Sequence, residues 1–244
     1  MAIPLWYALV FGCSMLIMLI LMKIAMTKYI ERTPVSALPA YVREWPPVVP
    51  GQYDTNHAPP ECRPYSIRTR MISGLGNLLY NSAPFFNSAV RLMGITGLPL
   101  GLYAFNVLKE GLTGLAYALA ILGLIAFEIG CVGIILLGIY TENRHFKHGI
   151  TAGLSFGGYM LAILCWIYPV WLSGVISNVF IVFHLIPIGL FFYHMVVVKH
   201  FDLHTQMQDL LPSRWQVNYN LSEWLLFFGV CVWIILLFGF LISI

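Results

Sequence analysis

Six apolar stretches, each long enough to cross a lipid bilayer, make up more than half of this 244-residue chain. A membrane-spanning helix needs roughly 20 predominantly apolar residues. Only 9% of the residues are charged, whereas a soluble domain carries roughly 25%. The sequence therefore predicts an all-α integral membrane protein, a bundle of six transmembrane helices over residues 5–26, 85–108, 112–139, 150–170, 174–198 and 221–242.

A long connection, residues 27–84, joins the first two predicted spans. Eight prolines between residues 34 and 64 exclude a continuous helix, because proline removes a backbone donor and clashes with the preceding turn. We expect extended segments and turns that lie over the bundle. Residues 65–80 fit either a short interfacial amphipathic helix or an ordinary returning loop. The rest of the chain is too short for a separate soluble domain, so residues 1–244 are predicted to form a single membrane domain.

Basic residues are divided unevenly between the two sides of the predicted bundle. Six spans place both termini on the same side of the membrane. The connections on that side carry one basic residue, Lys109. The side of the long loop carries ten basic residues: Lys28, Arg32, Arg43, Arg63, Arg68, Arg70, Arg144, Lys147, Lys199 and Arg214. By the positive-inside rule the long loop faces the cytoplasm. The net charge of +3 is small, so the expected partners are membrane lipids and other membrane protein subunits, and no nucleic acid.

Two charged residues fall inside predicted spans. Arg91 lies about two turns into the second span, and Glu128 lies well inside the third. Burying one charge in hydrocarbon costs at least ~3 kcal/mol on insertion scales, so we expect the two residues to lie at comparable depth and to neutralise each other. Such a pair serves either as a proton or ligand site or as a buried ion pair that fixes helix register.

Four histidines on the side of the long loop have spacings that place two imidazoles on one helical face. His145 and His148 are three residues apart, and His200 and His204 are four apart. Imidazoles at these spacings can hold a transition metal. A third fixed ligand is not evident from the sequence. The alternative, solvated or hydrogen-bonded loop histidines, requires no cofactor.

Glycines recur at four-residue spacing in two of the predicted spans. Gly149, Gly153 and Gly157 follow one another at the start of the fourth, and Gly97 and Gly101 lie in the second. Small residues at this spacing let helix backbones approach closely. Both sets are therefore predicted to pack helices together.

Three stretches carry a resemblance to a known family. The first reads Ile-Ser-Gly-Leu-Gly over residues 72–76 and continues Asn-Ser-Ala-Pro-Phe-Phe-Asn over 81–87. The second is glycine-rich, over residues 123–138, and leads to His148. The third is Ser-Glu-Trp over 222–224. This order resembles the Frag/DRAM-type six-helix membrane family and its prokaryotic relatives of unknown function.

The resemblance implies a six-helix bundle in which the loop before the second helix packs against the loop that carries His148. It points to Ser73, Asn87, His148 and Glu223 as the corresponding positions. Eukaryotic members of the family are tied to lipid-anchor remodelling, lipid homeostasis and autophagy, without an established common chemical activity. Relatives often have Ser-Asp where this chain has Ser73 followed by glycine.

The function expected from these observations is that of a polytopic membrane protein without its own catalysis. It would act as an accessory or scaffold subunit of a membrane complex or as a lipid-associated factor. The sequence contains no phosphate-cradling glycine loop, nucleophile elbow, HExxH or CxxC motif. Two alternatives stay open. One is a metal-binding membrane enzyme or redox protein that uses the loop histidines, and the other is a small proton-coupled transporter that uses Arg91 and Glu128.

Overall fold

The computed structural model describes residues 3–28, 30–31, 63–64, 72–78, 81–141, 144–174, 179–206 and 213–243. Side chains are described throughout these ranges except at 30–31, 63–64, 145, 200–206 and 213–219. Most of the proline-rich connection therefore lies outside the described residues. So do residues 65–71, for which either an amphipathic helix or a loop is predicted.

Six long helices form the described part of the chain and confirm the predicted all-α transmembrane bundle. They are α1 (Leu5–Lys28), α2 (Ala83–Leu108), α3 (Gly114–Leu137), α4 (His145–Ser173), α5 (Val179–Gln206) and α6 (Ser213–Ile242). Each contains an apolar segment long enough to cross a membrane. Between α1 and α2 lie the short strands β1 (Ile30–Glu31) and β2 (Arg63–Pro64), which pair antiparallel, and a 3-10 turn, Ser73–Gly76.

The helix boundaries follow the predictions closely at α1, α2 and the end of α6, and differ elsewhere. Helix α4 begins five residues before the predicted span, and α5 continues to Gln206, because polar residues at an interface do not interrupt helical hydrogen bonding. Gly174 was predicted to begin the fifth span. It instead ends α4 in the left-handed conformation, with φ of 61°, which glycine adopts without strain. Pro169 lies inside α4.

Consecutive helices pack side by side, and α6 returns to contact α2. The closest approaches occur where glycines remove side-chain volume. A methyl group added at Gly158 of α4 would lie 2.6 Å from the backbone nitrogen of Gly130 on α3. On α2, Gly97 and Gly101 face Cys131 and Glu128 of α3 in the same way. The prediction that Gly97 and Gly101 pack helices together is therefore confirmed.

The other predicted glycine set is not used for packing within the described chain. At Gly149, Gly153 and Gly157 an added methyl group would meet no atom within 4 Å. We call these three residues the α4 glycine face. The expectation that they pack α4 against a neighbour in this chain is wrong for the residues described, because α4 contacts α3 through Gly158 and Ser155 instead.

Aromatic side chains fill the centre of the bundle and join α3, α4, α5 and α6. Phe127 stacks on Trp166, with ring centroids 5.5 Å apart, and Trp166 stacks on Trp233 at 6.1 Å. The indole nitrogen of Trp166 also donates a hydrogen bond to the Ala120 carbonyl at 3.2 Å. Trp166 is fully buried and belongs to the core. Phe180 of α5 stacks on Trp233 at 6.2 Å, so the aromatic contacts connect all four helices.

Candidate functional site

One end of the bundle, which we call the loop-side end, is where α1, α3 and α5 finish and α2, α4 and α6 begin. A short buried segment, residues 72–76, lies at this end and is named here the plug segment. Ile72 is 3% exposed and Leu75 is 0% exposed. The interfacial amphipathic helix considered for residues 65–80 is not what the described part shows, because residues 73–76 form a buried 3-10 turn.

Hydrogen bonds from α2 and α6 hold the plug segment in place. A carboxylate oxygen of Glu223 accepts a hydrogen bond from the Ile72 N–H at 2.9 Å. The Asn87 amide donates to the Gly76 carbonyl at 3.2 Å, and the Ser82 hydroxyl donates to the Leu75 carbonyl at 2.8 Å. These contacts satisfy backbone groups that would otherwise be buried without partners.

Close packing reinforces these hydrogen bonds. A methyl group added at Gly76 would lie 2.6 Å from Oδ1 of Asn87 and 2.9 Å from the Phe86 ring. Only a residue without a side chain fits between the plug segment and the first turns of α2. The plug segment is therefore fixed both by its backbone hydrogen bonds and by the shape of the surface beneath it.

The four positions taken from the family resemblance all lie at the loop-side end. Ser73 opens the 3-10 turn and is buried, and Asn87 and Glu223 bind the plug segment from opposite sides. His148 lies in the first turns of α4, where its Nδ1 is 2.9 Å from the Tyr140 carbonyl oxygen. A carbonyl only accepts, so Nδ1 carries the proton. This hydrogen bond ties the first turns of α4 to the α3–α4 connection.

The α3–α4 connection also meets the start of α2. A methyl group at Gly138 would lie 2.7 Å from both the Asn87 carbonyl oxygen and Cγ of Arg91. The Arg91 Nε donates to the same Asn87 carbonyl at 3.0 Å. Asn87 therefore contacts the plug segment through its side chain and the end of α3 through its backbone.

Arg91 and Glu128 do not lie at the same depth, and the expected pairing between them is wrong. Arg91 is level with Gly138, whereas Glu128 is level with Gly101. Gly101 lies ten residues beyond Arg91 along α2, and Gly138 lies ten residues beyond Glu128 along α3. Ten residues of helix correspond to roughly 15 Å, and the two charged residues differ in depth by that distance. The Oε1 atom of Glu128 is buried without a hydrogen-bond partner among the described residues.

The predicted metal ligands are only partly described. Nδ1 of His148 donates a hydrogen bond to the Tyr140 carbonyl. His145, His200 and His204 lie in the terminal turns of α4 and α5, and their side chains are outside the described residues. Among the side chains that the structure does describe, no group of three or more His, Cys, Asp or Glu could hold a metal ion.

Two histidines inside α5 make hydrogen-bonding contacts, and both were interpreted from the sequence as core residues bound to Ser, Asn or Tyr on a neighbouring helix. His194 on α5 lies with Nδ1 2.8 Å from the Ser222 hydroxyl on α6, next to Glu223. His184 is 0% exposed, and its Nδ1 donates to the Phe180 carbonyl of its own helix at 2.9 Å. His194 therefore has a serine partner on the neighbouring helix α6, whereas the partner of His184 is supplied by the preceding turn of its own helix.

The polar side chains described at the loop-side end make contacts that join α2, α3, α4 and α6. The hydrogen bonds described for Glu223, Asn87, Ser82 and His148 all run to backbone atoms of the chain itself. Such an arrangement holds the plug segment and the α3–α4 connection against the helix ends. No protein-family model matches this chain, and neither the curated proteins nor the solved structures contain a significant match.

Proposed function

We propose that this chain is an integral membrane subunit without catalysis of its own, which acts as an accessory or scaffold component of a membrane complex. The observation that carries the proposal is the use of the polar side chains at the loop-side end. The Glu223 carboxylate and the His148 imidazole, both suited to acid–base chemistry, bind backbone groups of the plug segment and of the α3–α4 connection.

The energetics favour a structural role for these contacts. A catalytic acid or base must reach the proton that it transfers, within hydrogen-bonding distance of the substrate. Glu223 is 9% exposed and already accepts from the Ile72 N–H. A hydrogen bond to a charged group contributes about 1.5–3 kcal/mol, which a substrate would have to replace. The contacts therefore serve to hold the plug segment.

An accessory subunit needs a face that binds its partner within the membrane, and we assign this role to the α4 glycine face. A methyl group added at any of the three glycines would meet no atom within 4 Å, and large apolar side chains flank them. Phe146 is 81% exposed, Ile150 48% and Leu154 40%. Small residues beside large ones let a second helix approach closely in lipid. The proposed occupant is a transmembrane helix of another polypeptide.

A paired substitution tests this assignment. Gly153→Leu would place a bulky side chain in the α4 glycine face, whereas Gly189→Leu places the same side chain on α5, also with no atom within 4 Å. After gentle extraction from its own membrane, the protein with Gly153→Leu should lose its co-purifying polypeptide, and the protein with Gly189→Leu should retain it. Retention by both variants, or loss from both, would contradict the assignment.

The orientation is part of the same proposal. The excess of Lys and Arg on the loop-side connections supports a cytoplasmic location for the long loop. Cysteines introduced at Lys147 and Thr113, both exposed and at opposite ends of the bundle, would report it. An impermeant maleimide should label Thr113→Cys in intact cells and Lys147→Cys only after permeabilisation. The reverse pattern would place the long loop outside the cytoplasm.

A second candidate function is supported by Glu128. A carboxylate inside a span is costly, and it marks a proton or ligand pathway in many membrane proteins. The Oε1 atom of Glu128, which has no hydrogen-bond partner among the described residues, supports the candidate function of a small proton-coupled transporter. Arg91 would take no part in proton transfer there, because it does not pair with Glu128. Purified protein in liposomes should then show a proton flux that Glu128→Gln abolishes and Arg91→Gln leaves intact. Absence of flux in the unmodified protein would remove this candidate.

A further inference from the structure

A narrow groove runs along the lipid-facing surface between α1 and α6. Its walls are apolar and include Met18, Met22 and Met26 on α1 and Phe227, Cys231 and Ile235 on α6. The groove is open along one side, and its cavity volume is about 260 Å³. Methionine side chains are flexible and polarisable, so a wall built from three of them adapts to the shape of an apolar ligand.

The groove has a closed inner end and an outer end at the loop side. Phe11 of α1 packs on Phe238 of α6, with ring centroids 4.4 Å apart, and this contact closes the groove beyond Met18 and Ile235. From Trp224 to Ile235 the wall on α6 covers eleven residue steps, or roughly 16 Å. One leaflet of the hydrocarbon core is roughly 15 Å thick. The groove therefore matches one leaflet in depth.

The chemistry of the lining decides what can occupy the groove. Apart from Lys23, the side chains that line it are apolar. An extended hydrocarbon chain laid along the groove therefore makes apolar contacts over its whole length.

A lysine among the apolar lining residues supplies the polar end of the site. Lys23 lines the groove and is exposed, and Lys28 lies five residues further on, in the last turn of α1 at the loop-side end. A lysine within a span extends its charged group along its apolar stem towards the interface. Its ammonium group then lies near the level of lipid headgroups, where an anion is the complementary partner.

We propose that the α1–α6 groove binds an anionic phospholipid, with one acyl chain between α1 and α6 and the headgroup phosphate at Lys23. The site is separate from the α4 glycine face, and it does not depend on the function proposed above. It requires only the apolar walls, the closed inner end and the cation at the outer end.

The test uses full-length protein, purified in mild detergent, delipidated and then titrated with phosphatidylglycerol or phosphatidylcholine of identical acyl chains. Native mass spectrometry counts the bound lipids. One phosphatidylglycerol should be retained in preference to phosphatidylcholine, and Lys23→Gln should weaken that preference about five-fold, the effect of one lysine near a charged headgroup. The matched control is Lys199→Gln, which removes an exposed lysine of α5 and should leave the preference unchanged.

A second pair of variants tests the acyl-chain half of the site. Val232 lines the groove and is 49% exposed, whereas Val196 on the outer face of α5 is 54% exposed. Val232→Phe should abolish retention of either lipid, and Val196→Phe should not. Equal effects of Lys23→Gln and Lys199→Gln, or full lipid retention by Val232→Phe, would overturn the proposal. So would a bound polypeptide in place of lipid that Val232→Phe displaces.

Discussion

Replacing Gly133 by alanine should destabilise the bundle strongly, although alanine is a better helix former than glycine. Gly133 lies on α3 at its closest approach to α4. An added methyl group would be 2.5 Å from the backbone nitrogen of Ser155 and 2.8 Å from its Cα. Favourable carbon contacts lie at about 3.5–4.0 Å, so the two helices would have to separate by about 1 Å. Backbone atoms cannot turn aside as a side chain can.

The expected magnitude follows from two opposing terms. Overpacking a tight contact costs about 1–3 kcal/mol, and the gain in helix propensity from glycine to alanine is about 1 kcal/mol. At Gly133 both close contacts are to backbone atoms, so the cost should lie near its upper end, about 3 kcal/mol, and the net loss should be about 2 kcal/mol. At Gly153, where no atom lies within 4 Å, only the gain remains, so Gly153→Ala should match or exceed the unmodified protein in stability.

Equilibrium unfolding in mixed micelles, followed by tryptophan fluorescence, measures both variants under one set of conditions. The fluorescence reports on the core because Trp166 and Trp233 are buried there. A free energy of unfolding for Gly133→Ala within about 0.5 kcal/mol of the unmodified protein would refute the packing described for α3 and α4. So would an equal loss at Gly153.

Three further predictions concern single side chains. Glu223→Ala should lower the free energy of unfolding by about 1–3 kcal/mol, whereas Glu223→Gln keeps an acceptor for the plug segment and should lose less; equal losses would show that the negative charge itself is required. Arg91→Gln and Glu128→Gln should have additive effects on stability within about 0.5 kcal/mol, as expected for residues about 10 Å or more apart, and a larger coupling energy would indicate that they pair. Trp166→Phe should cost about 1 kcal/mol through the lost bond to the Ala120 carbonyl, and an unchanged unfolding midpoint would contradict that.

The existence of the six spans could be predicted because only uninterrupted apolar length allows a chain to cross a membrane. The axial offsets between the helices could not. Arg91 and Glu128 were expected at one depth because each lies about two to three turns from the loop-side end of its own helix. The end of α3 instead lies level with Asn87 and Arg91, inside the start of α2. This offset depends on how the glycines of α2 fit the surface of α3, which hydropathy does not report.

The contrast between the two glycine sets has a similar origin. Gly101 and Gly153 have the same four-residue spacing to a neighbouring glycine, yet Gly101 packs on Phe127 and Glu128, and Gly153 packs on nothing described. Spacing reveals that a face can accept a close neighbour, but it does not reveal whether that neighbour belongs to the same chain. The role of Glu223 was hidden for a related reason, because its partner, the Ile72 N–H, is 151 residues away in sequence.

The most direct test of the proposed function is the native mass of the protein extracted gently from its own membrane. We expect an assembly well above the 27.5 kDa of the chain, with a reproducible second polypeptide that is lost in Gly153→Leu. A single 27.5 kDa chain, or an assembly that contains only copies of it, would contradict the role of accessory subunit.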